Sequence, residues 1–333
     1  MTVRLGINGF GRIGRALLRA QLRRREDVEI VAVNDLTGAR TLAHLLRYDT
    51  TAGTLPAVVT GGDDAIEVDG AKITVLAERD PARLPWQELG VDVVVESTGR
   101  FTDAHRARAH LDAGAKRVLI SAPATNEDLT LAIGINDDRY DPDRHRIVSN
   151  ASCTTNCLAP MAKVLDDTFG IERGAMTTIH AYTQDQNLQD GPHRDPRRAR
   201  AAALNLIPTT TGAATAIGLV LPRLGGRLDG YSIRVPVPVG SLTDLTAELS
   251  RETTPDEINA AFRAAADGPL RGILEYTEDP IVSSDIAGSP ASCIFDASLT
   301  KVVGGTQAKI YGWYDNETGF ANRLLDTTLR MAA

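Results

Sequence analysis

The sequence predicts an α/β protein of two domains: a doubly wound, mostly parallel sheet, followed by an α+β domain on a largely antiparallel sheet. Three observations carry this reading. The chain has 333 residues, past the roughly 250–300 at which single hydrophobic cores divide. Its first half alternates short apolar runs with segments of helical period, the pattern of parallel strands covered on both faces. After Cys153 the strand runs become longer and alternate, and helices fall between them, which is an α+β texture.

Taken in order, Val3 to Asn8 (V-R-L-G-I-N) is the first strand. Arg12 to Arg24 is a helix, because Ile13, Leu17, Leu18 and Leu22 share one face. Val28 to Asn34 is the next strand. Val91 to Glu96 (V-D-V-V-V-E) and Arg117 to Ser121 (R-V-L-I-S) are apolar enough to be buried on both faces, and Thr130 to Gly134 and Ile147 to Ser149 follow. Beyond them, Ala175 to His180, Asp229 to Val235, Asp244 to Leu249 and Lys309 to Tyr314 are strands, with helices at Thr211 to Leu221 and Thr254 to Ala266. The expected division is residues 1–150 as a dinucleotide-binding domain and 151–316 as a catalytic domain. Residues 317–333, with the helical stretch Gly319 to Met331, complete the first. His180 to Arg200 has little periodicity, and long ordered loops of that kind often carry function.

Composition removes several classes. Hydrophobic residues at 43% and charged residues at 24% describe an ordinary globular protein. A net charge of −7 argues against a general nucleic-acid surface. Three cysteines cannot close a disulfide framework, so free thiols in a reducing compartment are expected. The N-terminus runs straight into a strand without a signal-peptide pattern, and no apolar run approaches the roughly 18 residues of a membrane span. The expectation is a cytoplasmic enzyme or binding protein, without membrane or nucleic-acid partners.

The run G-I-N-G-F-G-R-I-G-R contains G-x-G-x-x-G at Gly9, Gly11 and Gly14. Alone the pattern is weak. Here it follows the first strand, opens a helix, and precedes Asp35 at the end of the second strand, the Rossmann-type arrangement. Gly9 makes the tight turn, Gly11 lets the backbone approach a pyrophosphate, and Gly14 lets helix and strand pack closely. Arg12 and Ile13 supply early N–H groups at the positive end of the helix dipole. The Asp35 carboxylate suits a ribose 2′-hydroxyl and repels a 2′-phosphate, so NAD is expected rather than NADP. The simpler alternative is a glycine-rich turn that binds nothing, with Asp35 capping a turn.

The stretch N-A-S-C-T-T-N-C, Asn150 to Cys157, sets two cysteines four apart where a helix begins. The spacing is not that of a redox pair, and no histidine–cysteine cluster accompanies it, so no metal is expected. Cys157, among apolar helical neighbours, reads as a structural thiol. Cys153 follows Ser152, a natural N-cap, where the dipole and early amides favour a thiolate. Position alone leaves catalytic and structural readings of Cys153 both open. His180, ending the strand A-M-T-T-I-H, is the partner that makes an activated nucleophile, although a lone histidine is often only a satisfied core group. Thr209 to Ala213 (T-T-T-G-A) opens a helix with hydroxyls and a glycine, an oxyanion cradle. Arg234 lies on a strand of otherwise buried character and needs an anion. Thr183 comes three residues after His180. Arg198, in H-R-D-P-R-R-A-R, belongs either to a solvated face or to a second anion site.

With these residues placed, the chain resembles phosphorylating glyceraldehyde-3-phosphate dehydrogenase along essentially its whole length. The resemblance rests on N-G-F-G-R-I-G-R, E-S-T-G, A-S-C-T-T-N-C, H-A-Y-T, R-R-A-R-A-A-A, I-P-T-T-T-G-A-A, R-V-P-V-P and G-W-Y-D-N-E in combination. It implies that Cys153 attacks an aldehyde, that His180 takes the proton, and that a thioester is released by inorganic phosphate. It further implies that Thr183, Arg198 and Arg234 hold the substrate phosphate, and that Ser152, Thr154, Thr211 and Gly212 hold inorganic phosphate. Arg79, Ser121 and Asn316 match cofactor positions, Asn316 at the nicotinamide carboxamide. A homotetramer is implied, as are glyceraldehyde 3-phosphate and phosphate as partners.

The chain departs from the family pattern at Thr318, where a tryptophan is usual, and at Ala52, where a histidine is usual. The first departure raises the expectation of an isoform tolerant of cysteine-directed inhibitors. The rival readings are erythrose-4-phosphate dehydrogenase, whose thioester is released by water, and a redox-sensing or partner-binding protein on the same fold.

Overall fold

The computed structural model describes residues 2–333, which form two compact units. One comprises residues up to Leu131 with Asp138–Ala151 and Ala321–Ala333. The other comprises Ala132–Asp137 and Ser152–Phe320.

The first unit is built on a nine-stranded sheet. Its strands are β1 (Val3–Asn8), β2 (Val28–Asn34), β3 (Val59–Gly61), β4 (Ala65–Val68), β5 (Ala71–Leu76), β6 (Val93–Glu96), β7 (Arg117–Ile120), β8 (Leu129–Thr130) and β9 (Ile147–Ser149). They lie in the order β3-β4-β5-β2-β1-β6-β7-β9-β8, parallel from β5 to β8, with β3 and β4 added antiparallel at one edge. The order reverses at β1, so β1, β2 and β6 end at a topological switch point. Helices α1 (Arg12–Arg24), α2 (Ala39–Arg47), α3 (Ala104–Ala107) and α4 (Ala109–Asp112) connect the strands. β1 is buried on both faces, as parallel strands are, and Trp86 packs so closely that a Cβ on Gly6 would sit 2.9 Å from its ring. The C-terminal helix α8 (Thr318–Ala332) adds Asp326, paired with Arg24 at 2.5 Å, and Thr327, whose hydroxyl donates to Asn150 at 2.7 Å.

The second unit carries an eight-stranded sheet, with β10 (Ile171–Ala181), β11 (Ile207–Thr210), β12 (Leu228–Val235), β13 (Ser241–Leu249), β14 (Leu274–Thr277), β15 (Cys293–Asp296), β16 (Lys301–Val303) and β17 (Gln307–Tyr314). The order is β11-β12-β10-β13-β17-β15-β14, with β16 on β17. Pairing is antiparallel except between β10 and β12 and between β14 and β15. Helix α5 (Cys153–Phe169) lies over β10, β13, β15 and β17, beside α6 (Ala213–Val220) and α7 (Pro255–Asp267). Its apolar face, with Leu158, Met161 and Leu165 fully buried, anchors a core that includes the stacked rings of Phe262 and Phe295. α7 starts at a complete capping box: Thr254 accepts from the Glu257 amide, and Glu257 returns a carboxylate to the Thr254 amide.

The expected Thr130–Gly134 strand is shorter than the sequence pattern implied. Pairing stops at Thr130, because the Asn136 side chain accepts from the Ala132 amide at 2.9 Å and folds the segment into a turn. The helix expected from Thr211 begins instead at Ala213, since Thr209 and Thr210 pair with β12 and Thr211 accepts the Ala213 amide. The β3–β5 meander has no counterpart among the sequence expectations. Its strands are short, with buried and exposed positions that do not alternate regularly, so they carry little periodic signal.

Gly14 fixes the approach of α1 to the β1 turn, because a Cβ there would lie 2.5 Å from the Gly9 carbonyl oxygen. Gly14→Ala is expected to cost about 1–3 kcal/mol of overpacking and to weaken NAD binding. Thermal melting and isothermal titration of the variant check both.

Candidate active site

The cofactor-side residues sit at the carboxyl ends of β1, β2, β5 and β7. Gly9 has φ 94°, and a Cβ on it would meet the Thr98 amide at 2.7 Å. Gly11 is the N-cap of α1, and nothing lies within 4 Å of a Cβ built on it. That open face over a helix N-terminus, with Arg12 and Ile13 as the first helical residues and no acid in the first turn, fits a pyrophosphate. Asp35 is preset for a ribose: Oδ2 accepts the Phe10 amide at 3.0 Å and Oδ1 the Thr37 amide at 2.9 Å. The Arg12 side chain turns to Asp49, at 3.0 and 3.2 Å, and to Thr51. Against the upward push of burial, the Ala52 amide, Arg12 and Thr51 hold the Asp49 carboxyl well below the usual carboxylate range. Arg79 is exposed on the turn after β5, and Ser121 follows β7, its amide donating to the Glu96 carbonyl.

Ala151, with φ 55°, lies two residues before the helix on which the thiol stands. Ser152 caps α5 by accepting the Thr155 amide at 3.0 Å, so Cys153 is the first helical residue. His180, near the end of β10, places Nε2 3.4 Å from the Cys153 sulfur. Arg234 on β12 is register-paired with His180, and its Nη1 reaches His180 Nδ1 at 2.9 Å, the Ala181 carbonyl at 3.2 Å and Thr183 Oγ1 at 3.4 Å. A guanidinium only donates, and Nδ1 lies 2.7 Å from the Ala181 carbonyl. Nδ1–H donating to that carbonyl leaves Nε2 as the acceptor facing sulfur. The Nη1–Nδ1 approach is then cation against donor, a reason for the imidazole to stay neutral.

Burial pushes the Cys153 thiol up to about 11, opposed by Arg234 and Thr154, while Cys153 keeps partial exposure to solvent. Burial, reinforced by Arg234, drives His180 down to about 3. Burial thus favours the neutral thiol beside the neutral imidazole, and at a contact of 3.4 Å a further charge at the site shifts the proton between them.

Arg234 is the unbalanced charge. Its Nε is buried without a partner and none of its hydrogen bonds goes to a carboxylate, so the cluster with Thr183 has the chemistry to bind an anion. Arg198 stands differently. It pairs with Asp185, donates to Thr209 at 2.9 Å and to the Thr210 carbonyl at 3.2 Å, and has Asp195 at 3.7 Å. Thr211 and Gly212 stand at the start of α6, where Gly212 is the N-cap. Asn316 Oδ1 accepts from the Gly240 amide and the Ser241 hydroxyl, which leaves its NH₂ to donate, as a carboxamide oxygen requires. Thr318, half-buried, opens α8. Cys157 is fully buried against Met161 and the Gly312 carbonyl, a structural thiol. Among the described residues no cluster of three or more His, Cys, Asp or Glu is placed to hold a metal.

Sequence reasoning missed Tyr314 and Ser241. The Tyr314 hydroxyl lies 2.8 Å from Thr154, beside the thiol, and 2.8 Å from Thr178, two residues before His180. Its ring meets the imidazole edge-on at 5.9 Å. It therefore ties the first turn of α5 to β10. Ser241 accepts the Ala181 amide and donates to Asn316. Only register across β10, β13 and β17 reveals these partners.

The fold and the site define an NAD-linked oxidoreductase. Residues 3–104 match the family profile described as "Glyceraldehyde 3-phosphate dehydrogenase, NAD binding domain", and residues 152–316 match its C-terminal domain. The chain is 66% identical over 330 residues to glyceraldehyde-3-phosphate dehydrogenase of Kitasatospora aureofaciens, covering 99% of each chain. It is 65% identical over 332 residues to the Mycobacterium tuberculosis enzyme of that name, covering 98% of this chain and 97% of the relative. It is 64% identical over 329 residues to glyceraldehyde-3-phosphate dehydrogenase 1 of Streptomyces avermitilis, covering 99% and 98%. The chain belongs to the glyceraldehyde-3-phosphate dehydrogenase family.

Two outcomes follow from the thiol's surroundings. His180→Asn is expected to slow iodoacetamide alkylation of Cys153 at pH 7 by about tenfold or more and to move the rate–pH curve upward, because burial then acts on the thiol without a proton acceptor. Superimposable curves would exclude His180 as that acceptor. Tyr314→Phe, which keeps the ring and loses the tie, is expected to slow alkylation by about 2–10-fold with NAD affinity unchanged by titration.

Proposed function

We propose that the chain catalyses the NAD-dependent oxidative phosphorylation of D-glyceraldehyde 3-phosphate to 1,3-bisphosphoglycerate through a thioester on Cys153. The observation that carries this is the Cys153–His180 contact of 3.4 Å beside a half-buried arginine whose hydrogen bonds include no carboxylate. Cys153 sulfur bonds to the aldehyde carbon while its proton passes through His180 Nε2 to the aldehyde oxygen, giving a hemithioacetal and a neutral imidazole. Bound NAD supplies the hydride acceptor, and its pyridinium charge favours the thiolate. As the hemithioacetal hydroxyl loses its proton to His180, the carbon–hydrogen bond breaks and a thioester remains on Cys153. A phosphate oxygen then attacks the thioester carbon, the carbon–sulfur bond breaks, and the acyl phosphate leaves with the thiol restored. The cation beside His180 lowers its proton affinity in the empty site; an anion on Arg234 relieves that and makes the imidazole a better base.

Thr183, Arg198 and Arg234 are assigned to the substrate phosphate, and Ser152, Thr154, Thr211 and Gly212 to inorganic phosphate. For Arg198 this requires phosphate to compete with Asp185 for the guanidinium. For Thr154 the hydroxyl is already engaged by Tyr314, which favours a contact through its amide. Gly9, Gly11, Arg12, Ile13, Asp35, Arg79, Ser121 and Asn316 are assigned to NAD. A cytoplasmic homotetramer completes the reading; exposed Leu188, Leu204 and Leu206 on and after the loop that follows β10 support self-association.

The test is NADH formation from glyceraldehyde 3-phosphate with phosphate present and then withheld. Sustained turnover is expected only with phosphate, and a stoichiometric burst without it. Sustained turnover without phosphate, especially with erythrose 4-phosphate, would replace this reading by the hydrolytic one. Cys153→Ser is expected to lower kcat by about a thousandfold or more, and Arg234→Leu to raise the KM for the aldehyde by about thirtyfold or more.

A further inference from the structure

Beneath the dinucleotide turn lies a buried carboxylate that the chemistry above does not use. Glu96, at the end of β6, is 2% exposed, and His110 on α4 is fully buried. Glu96 Oε1 accepts the Thr98 amide at 2.8 Å and the Thr98 hydroxyl; Oε2 faces Asn8 Nδ2 at 2.5 Å and His110 Nε2 at 3.1 Å.

The protonation pattern follows from donor counting. The Trp86 indole N–H only donates, and it points at His110 Nδ1 at 3.0 Å, so Nδ1 is the acceptor. The imidazole proton is then on Nε2 and donates to Glu96. Asn8 is oriented the same way, because its Oδ1 accepts from Asn34 Nδ2 at 2.7 Å, leaving Nδ2 toward the carboxylate. Asn34 in turn donates to the Glu78 carbonyl and accepts the Glu78 amide, both at 2.8 Å. The Glu78 amide, Asn34 and Asn8 thus form a chain in which each bond donates toward Glu96. All four partners of the carboxylate are donors, so it is held as an anion by neutral groups, without a counter-cation.

That arrangement reaches the turns that carry the cofactor residues. Asn8 precedes Gly9. Thr98 borders the place a Cβ on Gly9 would occupy, and Ser97 donates to the Gly9 carbonyl at 2.6 Å. Glu78 precedes Arg79. A hydrophobic isostere or a neutral amide cannot serve here: a glutamine would set its NH₂ against donors on one side and lose two hydrogen bonds. We propose that Glu96 is a positioning residue for NAD, an anionic hub whose polarised bonds to Thr98, Asn8 and His110 set the Gly9 and Arg79 turns. The proposal rests on the NAD-binding reading of this unit.

The test is direct NAD titration by calorimetry, alongside thermal melting and steady-state kinetics. Glu96→Gln is expected to raise the NAD dissociation constant and the KM for NAD at least tenfold, with kcat at saturating NAD within twofold. Ile66→Ala, which opens a cavity under β4 away from this network, is expected to lower the melting temperature while leaving the dissociation constant within twofold. If Glu96→Gln does not fold, Thr98→Val, which removes only the hydroxyl donor, is expected to weaken NAD binding severalfold. The proposal is overturned if the variants lose affinity in proportion to lost stability, or if neither Glu96→Gln nor Thr98→Val changes affinity by more than twofold. Failure of the unaltered protein to bind NAD would instead overturn the cofactor reading.

Discussion

The catalytic unit depends on one uncompensated charge. Arg234 is half-buried in a sheet, its Nε fully buried and none of its hydrogen bonds made to a carboxylate, beside an imidazole whose proton affinity it lowers. Removing a guanidinium from water without an ion partner is costly, and the Ala181 carbonyl and Thr183 hydroxyl offset part of that cost by accepting from Nη1. In the proposed reaction an aldehyde carrying phosphate would supply a counter-ion to Arg234 and relieve its effect on His180, which couples recognition to activation.

The rest of the unit holds that charge where it acts. His180, Arg234 and Ser241 stand on adjacent strands at one level, since β10 pairs with β12 on one side and β13 on the other, and Ser241 is paired in turn with Tyr314. One level below, Thr178 lies between Ser232 and Thr243, and its hydroxyl meets Tyr314. Below that the row is apolar, with Met176 and Leu245 in the core. The sheet therefore grades from charged, through hydroxyl-bearing, to hydrophobic over three steps of a strand pleat. α5 brings its N-terminus to the charged level and buries its apolar face in the lowest. Packing energy from one end fixes geometry at the other.

The N-terminal unit follows a related logic with the opposite sign. An anion, Glu96, is buried among neutral donors and organises the ends of β1 and β6, while Asp35 is set by two backbone amides at the end of β2. Here the buried charge is satisfied by fixed dipoles rather than by a mobile counter-ion, whereas Arg234 in the other unit is left with an unpartnered Nε.

Much of this was legible in the sequence. The range of α1, the glycine spacing, Asp35, and a cysteine directly after an N-cap serine follow from local chemistry: steric freedom of glycine, helical period and capping preference act over a few residues. The same holds for β1 and β2, whose ends match the apolar runs. Which of two cysteines is reactive, and that His180 rather than another histidine faces it, required the resemblance or the coordinates. Tyr314, Ser241 and the Glu96–His110–Trp86 set were illegible, because their partners lie tens of residues away and meet only through sheet register. The early end of the strand at Thr130 and the late start of α6 show the same limit, since side-chain caps and strand pairing override a local pattern. By itself the sequence determined most of the elements, the cofactor class and the helix position of Cys153, since those depend on neighbours along the chain. Only the tertiary structure decided which charges go unpaired and which hydroxyls touch, since hydrogen bonding and desolvation depend on neighbours in space.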